Sequence, residues 1–447
     1  MILSRIVLVS SLLATVAPAQ DWPQWRGPEY DGSTEASNLP AEFGRKHNVR
    51  WAAKMPGRGA GTPIVVGERI LLTSVDAARD KLVALCVHRE TGKVLWQRDA
   101  GSDYTDGLSL HNRSNYASPS PATDGQRVVF FFGNGDLCCF DLEGQEVWRR
   151  NLQKDYGNFA FQWTFSASPT IWEGRVFLPI LQRDTPVGRR TGPKDPENPI
   201  ESFLLALDPK TGKTLYKHNR PSDAIVESRE SYGTLIPRVG KGGRKELLCI
   251  GGDVITGHDP ATGKELWRWG TWNEGHRERW WRLVPTPVVG DGVALVCAPK
   301  RAPVYAVKLD GSGTLNQSAL AWKSTGRPNH LSSDVPTPAY EDGHFYVLSD
   351  VRHALSKVNA KTGGVAWTTE LPRDYAWRSS PTVADGKVYC MNHNGQVSVF
   401  ASDTGKVIHT AQMGDEDDDH VRASVVVAHG SLFIRTNDNL FCVSATK

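Results

Sequence analysis

The chain has 447 residues, with 52 Lys and Arg against 49 Asp and Glu and a formal net charge of +3. Both signs are mixed and no basic run carries interleaved aromatics, so neither a nucleic-acid groove nor a polybasic membrane surface is indicated. Its length would suit two or three ordinary domains, yet the internal repetition described below absorbs nearly all of it into one.

In chain order, Met1 to Ala19 carries Arg5, an apolar stretch from Ile6 to Ala17, and the small-residue pattern Ala17-Pro18-Ala19. This reads as a signal peptide, with the mature chain starting at Gln20. The apolar stretch is too short to span a bilayer and no Cys follows the cleavage pattern, so export in soluble form, without a transmembrane segment, is expected. Residues 20–47 form a leader that contains Asp21-Trp22-Pro23-Gln24-Trp25-Arg26-Gly27-Pro28. Two tryptophans so close together are costly to leave in water, and the leader is expected to pack across the rest of the molecule.

From residue 48 to 447 one phrase recurs. Its second half is a Gly turn: Thr91-Gly92-Lys93, Glu143-Gly144-Gln145, Thr211-Gly212-Lys213, Thr262-Gly263-Lys264, Thr362-Gly363-Gly364 and Thr404-Gly405-Lys406. Four residues after each glycine stand Trp96, Trp148, Tyr216, Trp267 and Trp367, with His409 in the sixth copy and a looser copy running from Asp310-Gly311 to Trp322. The first half is a strand entering a tight turn, as in Pro63 to Gly67, Ser118-Pro119 to Asp124-Gly125, Ser168-Pro169 to Glu173-Gly174 and Pro381 to Asp385-Gly386, followed by an apolar β-rich run. The unit is therefore four strands, A to D. Seven complete units leave a remainder at each end: Arg422 to Val443 supplies strands A, B and C, and Asn48 to Ala52 supplies D with its own Trp51. The fold class predicted is all-β, an eight-bladed β-propeller of four-stranded antiparallel blades, closed by an N-terminal strand that completes the last blade and removes the open edge.

The seven cysteines fall in predicted B or C strands of several blades and read as small buried apolar residues. Cys138 and Cys139 are adjacent, but in a strand neighbouring side chains point to opposite faces and do not bond. The insertion from Gln182 to Glu201 reads as a long surface loop. Phosphate loops, nucleophile elbows and zinc-protease signatures are absent. Asp415, Asp417 and Asp419 have the spacing of a calcium loop, yet His420 stands where a Gly is needed and no Glu closes it; a solvated acidic loop is the leading reading and an irregular cation site the lesser one.

The D-to-A connections gather around one mouth of a propeller's channel, and here they are polar and aromatic. The candidate ligand-binding residues are His111, Asn115, Arg229, Trp280, Trp281, Arg282, Trp377, Arg378, His420 and Arg422, with Gln162, Trp163, Glu227, Glu230 and Asp334 in the same segments. Aromatics with convergent polar groups suit a ligand, and Arg suits carboxylate or phosphate oxygens; capping of the blade ends is the competing reading.

Strand C ending in Asp208, Asp259 or Asn359 before Thr-Gly-Lys and Trp resembles the quinoprotein-type, or PQQ-like, β-propeller repeat, from about residue 48 to 447. The leader Trp22 to Pro28 resembles that of exported propellers of this type in planctomycete-like bacteria. The resemblance implies an eight-bladed propeller in the periplasm or outside the cell. Such propellers divide between dehydrogenases of alcohols or sugars, which hold pyrroloquinoline quinone (PQQ) and calcium, and cofactor-free scaffolds. The enzymes are longer and carry an adjacent-cysteine ring. The leading expectation is thus a monomeric, non-enzymatic binding or scaffold module that takes a protein, peptide or glycan at the channel mouth and needs no cofactor. The alternative is a PQQ- and calcium-dependent oxidoreductase with Asp334 as the base.

Overall fold

A computed structural model describes residues 20–102, 114–187, 199–270 and 272–445. Eight antiparallel sheets form the ring. The first blade is Ile64–Val66, Arg69–Asp76, Lys81–His88 and Val94–Ser102, paired in chain order, and the following blades repeat that order. The fourth adds a fifth strand, Gly313–Thr314, parallel to Glu265–Trp269. The last blade runs Val426–Ala428, Ser431–Arg435, Asn439–Ser444, and then Val49–Lys54 from the other end of the chain, antiparallel and in register at Ala52 with Phe441. In the second blade strand A is Ala122–Thr123, so the repeat begins at Ser120-Pro121, two residues later than the sequence pattern suggests.

The coupling of glycine turn and large ring has a direct cause. The strand-D indoles lie on the glycine turn of the next blade, so that a Cβ at Gly144, where φ is 79°, would stand 2.7 Å from the Trp96 ring. The indole N–H then donates to a carbonyl of that turn, Trp96 to Leu142 at 3.0 Å, Trp148 to Pro209 at 2.8 Å, Trp322 to Ala360 at 2.8 Å. Trp267 is an exception, lying against Gly257 of its own blade with its indole N–H on Glu246 Oε2 at 3.3 Å. His409 departs from the pattern because the eighth blade has no hairpin between strands C and D. The leader fills that place, with Phe43 N–H donating to His409 Nε2 at 3.1 Å.

At the channel wall the blades are joined by a circle of hydroxyls. Two residues before each strand A stands a Ser or Thr. Its hydroxyl accepts a hydrogen bond from the backbone N–H of the equivalent residue in the preceding blade, through Thr62, Ser120, Ser168, Thr234, Thr286, Thr337, Ser380 and Ser424 at 2.9–3.1 Å. Ser424 returns to Thr62.

The leader packs against the opposite ends of the A strands. Trp22, 1% exposed, exchanges backbone hydrogen bonds with Val65, Pro23 accepts from Thr123, and Tyr30 donates to Ile171. Beyond them Asp31 accepts from Tyr340 and Gly32 from Val383. Residues 22–30 thus touch the first three blades and 31–34 the sixth and seventh, so the segment crosses the channel axis and covers its far mouth.

All seven cysteines are buried and unpaired. Cys138 and Cys139 lie in the strand Asp136–Asp141 and face different cores, the first with Phe130 and Phe140, the second with Trp148 and Phe165.

Candidate functional site

Because the leader seals one end, the channel is a blind cavity of about 290 Å³ that opens on the side of the D-to-A connections. That is near the lower end of small-molecule sites, about 300–1,000 Å³. Trp25 of the leader, Trp163, Tyr232, Arg282, Asp334, Arg378 and Arg422 line it, together with hydroxyls of the circle.

The charges are arranged in a chain. Arg282 holds both oxygens of Asp334 in a forked pair, Nη1 to Oδ1 and Nη2 to Oδ2 at 2.9 Å each, with Glu227 3.9 Å from its Nε. Asp334 Oδ1 also accepts from Lys300 N–H at 2.7 Å, and its own N–H donates to Asp350 Oδ1 at 2.9 Å. Asp350 faces Arg378, Oδ2 to Nε 3.3 Å. Burial opposes the charge on Asp334, but the Arg282 fork, the Lys300 N–H and nearby Arg378 outweigh it and hold the carboxyl below its usual range. Asp350 goes the other way, raised chiefly by burial.

A second carboxylate stands behind the wall. Glu230 is fully buried; it accepts from Tyr232 Oη, from Gln162 N–H at 3.1 Å and from Arg183 Nε. Burial pushes its carboxyl up to about 7 despite the Arg183 charge and these hydrogen bonds. Tyr232 Oη in turn accepts from Trp163 N–H at 3.3 Å, and Trp163 Nε1 donates to Glu227 Oε1 at 3.0 Å.

Of the residues proposed from sequence, Arg282, Arg378, Arg422 and Asp334 meet on this cavity. Asn115 sits beside it and serves the turn, its Oδ1 accepting from Ala117 N–H at 2.7 Å. Arg229 pairs with Asp184 at 3.3 Å. Trp280 is 51% exposed with Arg183 6.0 Å from its ring, while Trp281 packs on the core between the fourth and fifth blades. Trp377 is wholly buried and donates to Pro372 O. His420 stands against His393, Nδ1 to Nδ1 3.3 Å. His111 lies outside the described residues. In the acidic loop Asp415 pairs with Arg45 and Asp419 with Arg58, and it is Asp418 that turns inward to the Asp415 and Asn437 amides. Among the described residues no three His, Cys, Asp or Glu side chains gather as cation ligands.

Sequence reasoning names Trp163 and Glu230 among the connection residues and Trp25 in the leader without choosing them for the site, and it misses Tyr232 and the hydroxyl circle. Glu230 and Trp163 lie in the right connections, and a Ser or Thr before nearly every strand-A proline was the visible signal for the circle. Tyr232 shares its connection with Glu230 and its type gives no further mark, and Trp25 reaches the cavity only because the leader crosses the channel.

A polyvinylalcohol dehydrogenase of Sphingopyxis sp. (strain 113P3) is 22% identical to this chain over 476 aligned positions, covering 89% of the chain and 67% of that protein. The quinohemoprotein alcohol dehydrogenase of Comamonas testosteroni superposes with a TM-score of 0.66 at 13% identity, covering 97% of this chain and 82% of that one. BamB of Moraxella catarrhalis superposes with a TM-score of 0.60 at 14% identity, covering 88% and 99%. At such identities the two structures speak to the fold alone.

The relative named as a dehydrogenase overturns the expectation of a non-enzymatic scaffold that needs no cofactor. That expectation rests on the chain's compactness and on Cys138 and Cys139 lying in a strand. Neither feature bears on what the channel receives, and the cavity combines guanidinium groups and indoles suited to a small anionic aromatic guest as much as to a protein, peptide or glycan. Helices long and apolar enough to cross a membrane are absent among the described residues. With residues 43–182 and 251–445 matching its profile, the chain belongs to the family of PQQ-like repeat propellers described as outer membrane protein assembly factor BamB.

Proposed function

We propose that this protein is an exported quinoprotein oxidoreductase that oxidises alcohol groups in the blind cavity of its propeller. The observation that carries the reading is the convergence of Arg282, Arg378 and Arg422 with the indoles of Trp25 and Trp163 in one cavity. Its support from relatives is the polyvinylalcohol dehydrogenase aligned over 89% of the chain.

The donor set fits pyrroloquinoline quinone, a flat molecule with three carboxylates. Arg378 and Arg422 would take carboxylate oxygens, the hydroxyls of the circle would donate to carbonyl or carboxylate oxygens, and the indole faces would cover the ring. When bound, the quinone supplies a two-electron acceptor for the hydride of the alcohol carbon. The fit is poorer for a divalent cation: among the described residues Asp334 alone brings a carboxylate to the cavity, and both its oxygens are committed to Arg282. The chain's own contribution is to exclude bulk water through the leader, to orient the guest, and to keep Asp334 ionised as the fixed partner of Arg282.

The test is titration of the purified protein with the quinone, with and without calcium, followed by absorbance and by dye reduction with poly(vinyl alcohol) and small secondary alcohols. Quinone binding with alcohol-dependent dye reduction is expected. Absence of quinone binding under both conditions would overturn the reading.

A further inference from the structure

An alcohol gives up two electrons and two protons when it becomes a carbonyl. If the hydride leaves with the quinone, the hydroxyl proton needs a separate acceptor near the cavity wall. Asp334 is poorly placed for this, since Arg282 occupies both its oxygens and Lys300 N–H takes a further site on one of them. Protonating it would break the fork and leave the buried Arg282 guanidinium facing Glu227 at 3.9 Å in place of a bidentate partner.

Tyr232 and Glu230 have the opposite character. The Tyr232 ring lines the cavity, and its hydroxyl donates to Glu230, which has no solvent exposure. We infer that Tyr232 and Glu230 form the proton exit of the site, Tyr232 accepting the substrate hydroxyl proton on Oη as its own proton passes to the Glu230 carboxylate. This rests on the function proposed above. One O–H bond breaks in the alcohol and one forms on Tyr232, while the Tyr232 proton moves to Glu230; the C–H electron pair leaves with the quinone, the oxidant. Tyr232 returns to its starting state, and Glu230 releases its proton by the reverse path once product has left and water occupies the cavity.

The surroundings suit a carboxylate that must take and give up a proton near neutrality. Arg183 and the Gln162 N–H stabilise the ionised form, and burial stabilises the neutral one. Burial and the Glu230 charge raise the Tyr232 phenol well above its usual range, which keeps it protonated between transfers, and Arg282 acts more weakly in the opposite sense; Glu227 faces Arg282 and Trp163. Neither Asp184 nor Arg229 adds a free charge, since they pair with each other.

Two measurements test the inference on the full chain. In the quinone-free protein, infrared difference spectra across pH 5–9 should contain a protonated-carboxyl band that titrates near neutrality, is absent in Glu230→Gln, and shifts its midpoint upward in Tyr232→Phe, which removes a hydrogen bond to the carboxylate. In the quinone-loaded enzyme, both variants should bind quinone as wild type does and lose about 10²–10³-fold in kcat with little change in KM. The acid limb of the wild-type profile should flatten in Glu230→Gln. Failure of the wild type to bind quinone overturns the function on which this rests. Loaded variants with a wild-type pH profile and rate, or a Glu230 that stays ionised throughout pH 5–9, overturn the proton exit alone.

Discussion

Ser424 N–H donates to Thr62 Oγ1 at 3.0 Å, joining residues 362 positions apart in the chain. The propeller is thus closed twice, by this bond at the channel and by the pairing of Val49–Lys54 with Asn439–Ser444 at the rim. Only the outer closure contains Trp51, whose indole N–H donates to Arg89 O at 2.9 Å and whose ring lies 6.3 Å from Phe433.

Removing residues 48–54 is expected to abolish a single cooperative melt, because it exposes an edge and unroofs the core shared by the first and last blades. Trp51→Ala alone should cost about 2–3 kcal/mol, below the value for a fully buried aromatic since the ring is half-buried. Urea unfolding followed by tryptophan fluorescence measures both.

The hydroxyl circle makes a sharper prediction. Ser380→Ala leaves the buried Thr337 N–H without an acceptor and should destabilise by about 1–3 kcal/mol. Ser380→Thr keeps the oxygen and should be close to neutral. Equal stability of wild type and Ser380→Ala in chemical denaturation would show that the circle contributes nothing.

For ligand binding, Arg378→Ala with Arg422→Ala should weaken the quinone by at least about 10²-fold, two charge-assisted contacts being worth roughly 1.5–3 kcal/mol each. Quenching of Trp25 and Trp163 fluorescence on quinone addition gives the affinity, and the thermal melt serves as the folding control.

Glu230 should also be visible in the pH dependence of stability. Its carboxyl is raised by burial from 4.5 to about 7 in the folded protein, so the folded state binds the proton more tightly than the unfolded one. The stabilising contribution is complete below about pH 4.5 and is lost as pH rises towards 7, by up to about 3 kcal/mol. Asp334, held low, works in the opposite sense, so the difference between wild type and Glu230→Gln isolates the effect. A difference constant from pH 4 to 8 would refute it.

The thiols offer a last check. Burial drives Cys139 up to about 12, and its neighbour Cys138 higher still. The native protein should react slowly with a thiol reagent, and all seven cysteines should titrate on unfolding without reductant.

Much of the architecture is legible in the sequence because a propeller repeats one local solution. The Gly turn followed by a ring at a fixed interval needs only neighbouring blades, and even the exception at His409 marks the blade whose C and D strands come from opposite ends of the chain. The site is less legible. Arg282, Arg378, Arg422 and Asp334 stand out by type and position, whereas Trp281 and Trp377 share that signal and turn out to fill cores. Which ring faces the channel depends on the irregular path of each connection, as for Trp163 and Tyr232, and no periodicity governs it. Trp25 reaches the cavity only because residues 22–34 cross the axis, a path set by Trp22, Tyr30 and Asp31 together.

The hydroxyl circle runs in one rotational sense, each Oγ receiving a backbone N–H from the blade before it. Every side-chain oxygen in it is therefore fixed by an amide, while its single hydrogen is free to swing about the C–O bond without loosening the frame. The collar behaves as a rigid mount fitted with turnable contacts. By turning its hydrogen, a hydroxyl of the collar can face either a donor or an acceptor, and the blades need not move when it does so.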